Sequence, residues 1–358
     1  MMKGFKKGVA LSAAFVMAAT TLTGCGAQKV DGTATVAVCN EENISMGLAA
    51  LYTRMQQAQT FNMYYSYLGT TNVFSQVLNE EAGQTYGEDL KDTSMETIKS
   101  LYLLRQHAEE YNVALTEDEL AAITASADAF MAANDANALA ATGISKEAVE
   151  ELLNLYTYQT KMYAAMVADV DTEVSDEEAK QSKVTYVRVG LDGTEEDADG
   201  NIIDLTEDEV AAKKELAETI LENVIAAGAN ADFDAIAKGV DETLAATSTT
   251  YGADTTTVDA SILAAVEGLA DGTVVDKVVA SEDGKSLYIV RFDADLDRTA
   301  TDSQKQTIIS TRQSDDFNAE VEGWMSEVTF ELKEDVWNTL KVNDTQIYNL
   351  YAPAETAQ

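Results

Sequence analysis

Val184-Thr-Tyr-Val-Arg-Val189 and Ser286-Leu-Tyr-Ile-Val-Arg-Phe292 decide how the rest of the chain is read. Both runs are rich in β-branched and aromatic residues and are bounded by polar or turn-forming stretches, which predicts strands. Four segments lie between them. The first is a long amphipathic helix opened by Thr206-Glu-Asp-Glu209, and the second a short helical stretch at Phe233-Asp-Ala-Ile-Ala237. A Thr-rich run ending in Tyr251-Gly252 follows, and then Ile262-Leu-Ala-Ala-Val266 ahead of Gly268-Leu-Ala-Asp-Gly272-Thr-Val-Val275. The expected unit is β-α-α-α-β-β over residues 183–294, and the segments on either side carry helical periodicity. The fold class expected for the whole chain is α+β.

On the N-terminal side, Thr35-Val-Ala-Val-Cys39 alternates as a short strand does, and Ile44-Ser45 leads into a helix. Leu48, Leu51, Tyr52, Met55 and Ala58 share one face of that helix. Beyond them stands Phe61-Asn-Met-Tyr-Tyr-Ser-Tyr-Leu68, dense in aromatic residues and Met. Such a stripe is first of all a buried face, yet Met and Tyr also adapt to varied apolar partners. A second helix is expected over residues 95–111, with Ile98, Leu101, Tyr102, Leu104 and Ala108 inward; it carries His107, the protein's one histidine. Thr116, Ser145 and Ser175 each stand at an N-cap, two of them with a capping-box glutamate, Glu119 and Glu178. These predict helices near 117–133, 146–168 and 176–182. C-terminal to the central unit, residues 301–326 read as one long helix, Val328-Thr-Phe-Glu-Leu332 as a strand and residues 334–340 as a closing helix. Residues 352–358 are expected to be a disordered tail.

The chain holds 358 residues with 24 Lys and Arg against 62 Asp and Glu, a net charge of −38. A field that negative excludes nucleic acid as a partner and opposes close approach to anionic surfaces. The acids either solvate a secreted surface or draw in basic unfolded chains, and the sequence supports both. Residues 1–24 form a leader: Lys3, Lys6 and Lys7, a short apolar run, then Leu22-Thr23-Gly24-Cys25, which looks like a bacterial lipobox. Cleavage before Cys25 would leave that residue as the lipidated N-terminus, with residues 25–34 as a tether on the outer face of the cytoplasmic membrane. Cys39 would then be a lone thiol, best explained as a small buried hydrophobe. No spacing of ligands calls for a metal, and no motif calls for a cofactor.

The central order resembles the parvulin class of peptidyl-prolyl isomerase domains. The flanking helices resemble those of PrsA- and SurA-type extracytoplasmic foldases, as do the Val36-Ala-Val-Cys-Asn40 opening and the Thr/Ser-x-Asp-Glu helix starts. The resemblance covers nearly the whole mature chain. It implies a helical chaperone domain built from residues 35–182 and 295–351, with the parvulin-like unit inserted between its halves. It also implies unfolded secreted proteins as partners, and a homodimer is within the family's range. Parvulins pair two strand histidines near a Cys or Asp under a roof of apolar residues. The matching positions here are Tyr186, Tyr288 and Asp241, with Val258 and Ile262 as the proline slot. Both histidines are thus replaced by tyrosine, a neutral hydroxyl that donates and accepts hydrogen bonds. Either a tyrosine-based floor still catalyses isomerisation or the module has lost catalysis and only holds clients.

Two further patterns remain. Glu195-x-Asp197-x-Asp199-Gly200-Asn201 resembles the first half of an EF-hand loop, but Thr206 occupies the place of the bidentate glutamate and starts the next helix. A turn insertion is the expectation. A solute-binding lipoprotein is the alternative from a different functional class; it would require two lobes of βα repeats.

Overall fold

The computed structural model describes residues 29–81, 83–193, 203–228, 231–348 and 350. The leader with Cys25, the acidic run 194–202 and the tail 351–358 lie outside them. The chain divides into two units, one made of the segments up to Val170 and from Ser314, the other of Asp171–Gln313.

The first unit opens with β1 (Thr35–Cys39) and β2 (Glu42–Ser45), an antiparallel pair turned at Asn40, whose φ is 54°. Asn is among the few residues with a side chain that tolerate that left-handed conformation. Helix α1 (Met46–Leu68) starts where the Ser45 hydroxyl accepts the Leu48 N–H, and stops at Gly69. A two-stranded ribbon of β3 (Val77–Asn79) and β4 (Gln84–Thr85) leads into α2 (Tyr86–Gln106). The second helix therefore begins earlier than residue 95. The capping box that starts it is Thr85 with Glu88, and a 3-10 turn at Ala108–Tyr111 replaces its expected last turn. Next come α3 (Glu117–Ala133), α4 (Ala136–Thr142) and α5 (Lys146–Met166).

Residues 176–182 do not form the expected helix. The Ser175 hydroxyl accepts the Glu178 N–H, but one turn later the chain enters a strand at Ser182. A cap stabilises a helix end without supplying the buried face that would extend it.

The second unit holds β5 (Ser182–Gly190), α6 (Glu207–Ala227), α7 (Phe233–Val240), β6 (Ala246–Tyr251), α8 (Ala260–Val266), β7 (Thr273–Val274), β8 (Val279–Ala280) and β9 (Ser286–Ala294). The Thr-rich run is thus the strand β6, and the order is β-α-α-β-α-β-β-β. Threonine's branched Cβ fits a pleated surface, and β6 pairs with β5 over its whole length. The sheet order is β6-β5-β9-β7 with β8 also on β9, and every pairing is antiparallel.

Period-two alternation splits this sheet into two faces. Val187, Val189, Leu287 and Ile289 pack under α6 and α7 against Ile220, Val224, Phe233 and Ala237. Val184, Tyr288, Val290 and Phe292 pack on the opposite face under α8 against Val258, Ile262 and Val266.

Helix α9 (Arg298–Glu327) follows, then β10 (Phe330–Leu332) and the short α10 (Glu334–Trp337). In the first unit β10 pairs with β1, Ala37 opposite Leu332, so residues from the two ends of the chain share one three-stranded sheet. Ile44, Leu48, Leu51, Ile98, Leu101, Leu155, Trp337 and Leu340 belong to its core. Each such side chain contributes roughly 1.5–3 kcal/mol by leaving water. Cys39 is fully buried among them, and burial pushes its thiol up to about 11. With its α-helical arms and, among the described residues, three sheets of antiparallel strands, the architecture is α+β.

Candidate functional site

On the α8 face of the second unit, β5 and β9 bring two tyrosines together. Arg188 stands opposite Tyr288 and Tyr186 opposite Val290 in the ladder. The rings of Tyr186 and Tyr288 meet edge to face, centroids 5.7 Å apart at 88°. That geometry sets the positive edge of one ring against the negative face of the other. The Tyr288 hydroxyl donates to Asp259 Oδ2 at 3.1 Å. Asp259 is the N-cap of α8, and its Oδ1 accepts the Ser261 N–H at 2.9 Å. Burial pushes the Tyr288 phenol up, and the neighbouring carboxylate reinforces the shift, so the hydroxyl keeps its proton at neutral pH. Burial works against ionisation of Asp259, but the bonds from Ser261 and Tyr288 outweigh it and hold the carboxyl below its usual range. The result is a neutral phenol hydrogen-bonded to a carboxylate, with Tyr186 half-buried beside it.

Of the residues singled out from sequence, Tyr186 and Tyr288 are brought together. Asp241 is not with them. It is the C-cap of α7, on the side of the sheet packed by α6 and α7, and its Oδ1 accepts from the Thr243 N–H and hydroxyl. The carboxylate beside Tyr288 is Asp259. Its signal in the sequence was an N-cap one, Asp259 three residues ahead of the apolar Ile262-Leu-Ala-Ala-Val266 stretch. Val258 and Ile262 do lie on this face, but they are 5% and 0% exposed and packed into the core with Val184 and Val290.

The aromatic stretch at the end of α1 behaves differently from an ordinary core face. Tyr64 turns inward, its ring 6.0 Å from that of Tyr86, and Tyr86 stacks on the buried Phe74 at 5.9 Å. Met63, Tyr65, Tyr67 and Leu68 stay in solvent, with Tyr67 84% exposed. On the ribbon that follows, Val77 and Leu78 are exposed as well. Six of the nine large exposed hydrophobic residues in the described chain thus fall within residues 63–78. Single exposed leucines scattered over a surface are ordinary; this grouping within one stretch of chain is not.

His107 stacks flat on Trp324, ring centroids 4.1 Å apart, and its Nδ1 meets Glu110 at 2.9 Å. Among the described residues no group of three or more His, Cys, Asp or Glu side chains is placed to hold a metal ion. No helix among them is long and apolar enough to cross a membrane.

No protein-family model matches the chain, and no curated protein matches it. Among solved structures, it is similar to a SurA-like chaperone of Campylobacter jejuni at 9% identity, with 84% of this chain and 99% of that one covered and a TM-score of 0.27. The foldase PrsA of Streptococcus pneumoniae matches at 16% identity over 68% of this chain and 87% of its own, with a TM-score of 0.28. PrsA of Lactococcus lactis matches at 12% identity over 85% and 96%, with a TM-score of 0.32. Similarities at this level say nothing of activity.

Proposed function

We propose that this protein is an extracytoplasmic folding factor that holds unfolded secreted chains, anchored through lipid on Cys25 at the outer face of the membrane. The observation that carries the proposal is the run of exposed Met63, Tyr65, Tyr67, Leu68, Val77 and Leu78 on the first unit. Apolar side chains left in water at that density stabilise contact with other apolar chains at roughly 25 cal/mol per Å² buried. The lipobox and the resemblance to PrsA- and SurA-type foldases support the same assignment. The second unit is a parvulin-type module by descent, inserted between the two segments of the first. The solute-binding alternative lacks support, since βα-repeat lobes carry parallel strands and every strand pair described here is antiparallel.

The test is aggregation of a chemically unfolded secreted protein, followed by light scattering with and without the full mature chain. Suppression that weakens in Tyr67→Ser/Leu68→Ser is the expected result; scattering unchanged by the wild-type protein would refute the proposal. A second reading, residual isomerase activity, is favoured by one observation, the Tyr288–Asp259 hydrogen bond beside Tyr186. The barrier to be lowered is about 18–20 kcal/mol. Val258 and Ile262 are 5% and 0% exposed, so proline-limited refolding should run at the uncatalysed rate. A clear acceleration that Tyr288→Phe abolishes would reverse that order of preference.

A further inference from the structure

We infer that the β3 ribbon and the end of α1 form a docking strip for one kind of client segment: extended, with apolar residues alternating with lysine or arginine, added as a third strand along β3. The inference rests on the folding-factor proposal and names the chemistry of the chain that is held.

The first support is the state of the ribbon. Among the described residues β3 and β4 form a sheet of two strands, and all three β3 residues are exposed. Successive strand residues point to opposite faces, so exposure of both Val77 and Leu78 means that neither face of β3 is covered. A two-stranded ribbon is marginal by itself and its outer edge is a template for another strand. Strand addition supplies main-chain hydrogen bonds whatever the client's sequence, which suits a binder of many chains. The ribbon is held next to the helix end by contacts within the first unit. Val77 pairs with Thr85, the residue before Tyr86, and the Tyr86 ring meets Tyr64 of α1. Tyr67 and Leu68, three and four residues on from Tyr64, share its side of α1 and are exposed, so apolar side chains of an added strand would meet them there.

The second support is charge. Residues 55–90 contain no lysine or arginine, while Glu80, Glu81, Glu88 and Asp89 all fall within or next to the ribbon. Glu80 and Glu81, at its tip, are both exposed. The whole chain carries a net charge of −38. A second copy of this protein would bring the same apolar strip with the same carboxylates, and a two-fold contact would set like charges face to face. A cationic apolar segment instead matches the strip in both respects.

The experiment uses the full mature chain and labelled synthetic peptides read by fluorescence anisotropy. One peptide alternates Val with Lys, a second Val with Glu, a third Thr with Lys. The Val/Lys peptide is expected to bind about tenfold tighter than Val/Glu at low salt, from two or three exposed charge pairs. That gap should close near 0.5 M salt, where the screening length falls to about 4 Å. Thr/Lys should bind more weakly than Val/Lys. Glu80→Lys/Glu81→Lys should reverse the preference between Val/Lys and Val/Glu, and Tyr67→Ser/Leu68→Ser should weaken both. Equal affinity for Val/Lys and Val/Glu, or a preference untouched by the charge reversal, overturns the inference. If aggregation is still suppressed in that case, the folding-factor proposal survives alone. If instead Val/Lys binds with the stated preference while no client is protected, the strip stands and the folding role does not. A salt-sensitive dimer in sedimentation whose contact is lost in Tyr67→Ser/Leu68→Ser would also overturn the inference, by giving the strip to a second copy.

Discussion

Asp344 is the side chain whose loss should most directly disturb the exposed strip. Its Oδ1 accepts the N–H of Val73 at 2.7 Å and of Phe74 at 2.8 Å. Its Oδ2 accepts the Ser75 N–H at 3.0 Å and also the Ser75 hydroxyl. These donors lie on the link between α1 and β3, so one carboxylate near the C-terminus sets the course of the chain from the aromatic helix end into the ribbon. Removing it in Asp344→Ala strands two part-buried amides, while Ser75 is exposed and can turn to water. At about 1.5 kcal/mol for each buried bond to a charged acceptor, the loss is about 3 kcal/mol. For a unit of this size that corresponds to a fall in melting temperature of about 6–12 °C. The assay is built into the chain: both tryptophans, Trp324 and Trp337, belong to the first unit, so tryptophan fluorescence follows its unfolding separately.

The same group makes a pH prediction. Partial burial opposes ionisation of Asp344, but the donors of Ser75, Phe74 and Val73 outweigh it and hold the carboxyl below its ordinary value. A depressed folded-state value means the contribution is complete above the ordinary aspartate value, about 3.9, and is lost as the pH falls from there through the folded value. The difference between wild type and Asp344→Ala should therefore be constant from pH 6 to 8, on the order of 3 kcal/mol, and shrink below about pH 4. A difference under about 1 kcal/mol at pH 7, or one that grows on acidification, would falsify the clamp.

Two other outcomes follow from the core of the first unit. Cys39 is fully buried with its thiol raised to about 11, so in a chain starting after Cys25 a thiol reagent at pH 8 should label it only as fast as the unit unfolds. Rapid stoichiometric labelling of the folded protein would show the strand to be open. Trp337 is 2% exposed and packs with β1 and α2, its ring lying under the Lys91 ammonium at 4.8 Å. Trp337→Ala should cost about 3–5 kcal/mol, measured by circular dichroism in denaturant; a cost below about 1 kcal/mol would mean that α10 contributes little to the core.

Local signals carried the elements that local chemistry controls. The Thr35-Val-Ala-Val-Cys39 alternation is the strand β1, and the Thr116–Glu119 capping box begins a helix over Glu117–Ala133 as expected. The Thr85–Glu88 box was equally visible in the sequence, and it explains why α2 starts nine residues earlier than its apolar periodicity suggested. Where local signals compete, they failed. Ser175 offers a sound N-cap, yet from Ser182 on the chain pairs with β6 on one side of β5 and with β9 on the other. The Thr-rich run became β6 because β5 had a free edge to fill, a fact about a strand far away in the chain.

The sequence by itself determined the α+β class, the positions of most helices, the strong negative charge, and the two strands that carry Tyr186 and Tyr288. Those features depend on composition, period and caps, which act over a few residues. Only the tertiary structure decided that Asp259 rather than Asp241 meets Tyr288, that Val258 and Ile262 are sealed in the core, and that half of the aromatic helix end stays in water. Which face a side chain occupies is set by long-range register, and whether that face is covered depends on what else the chain brings to it.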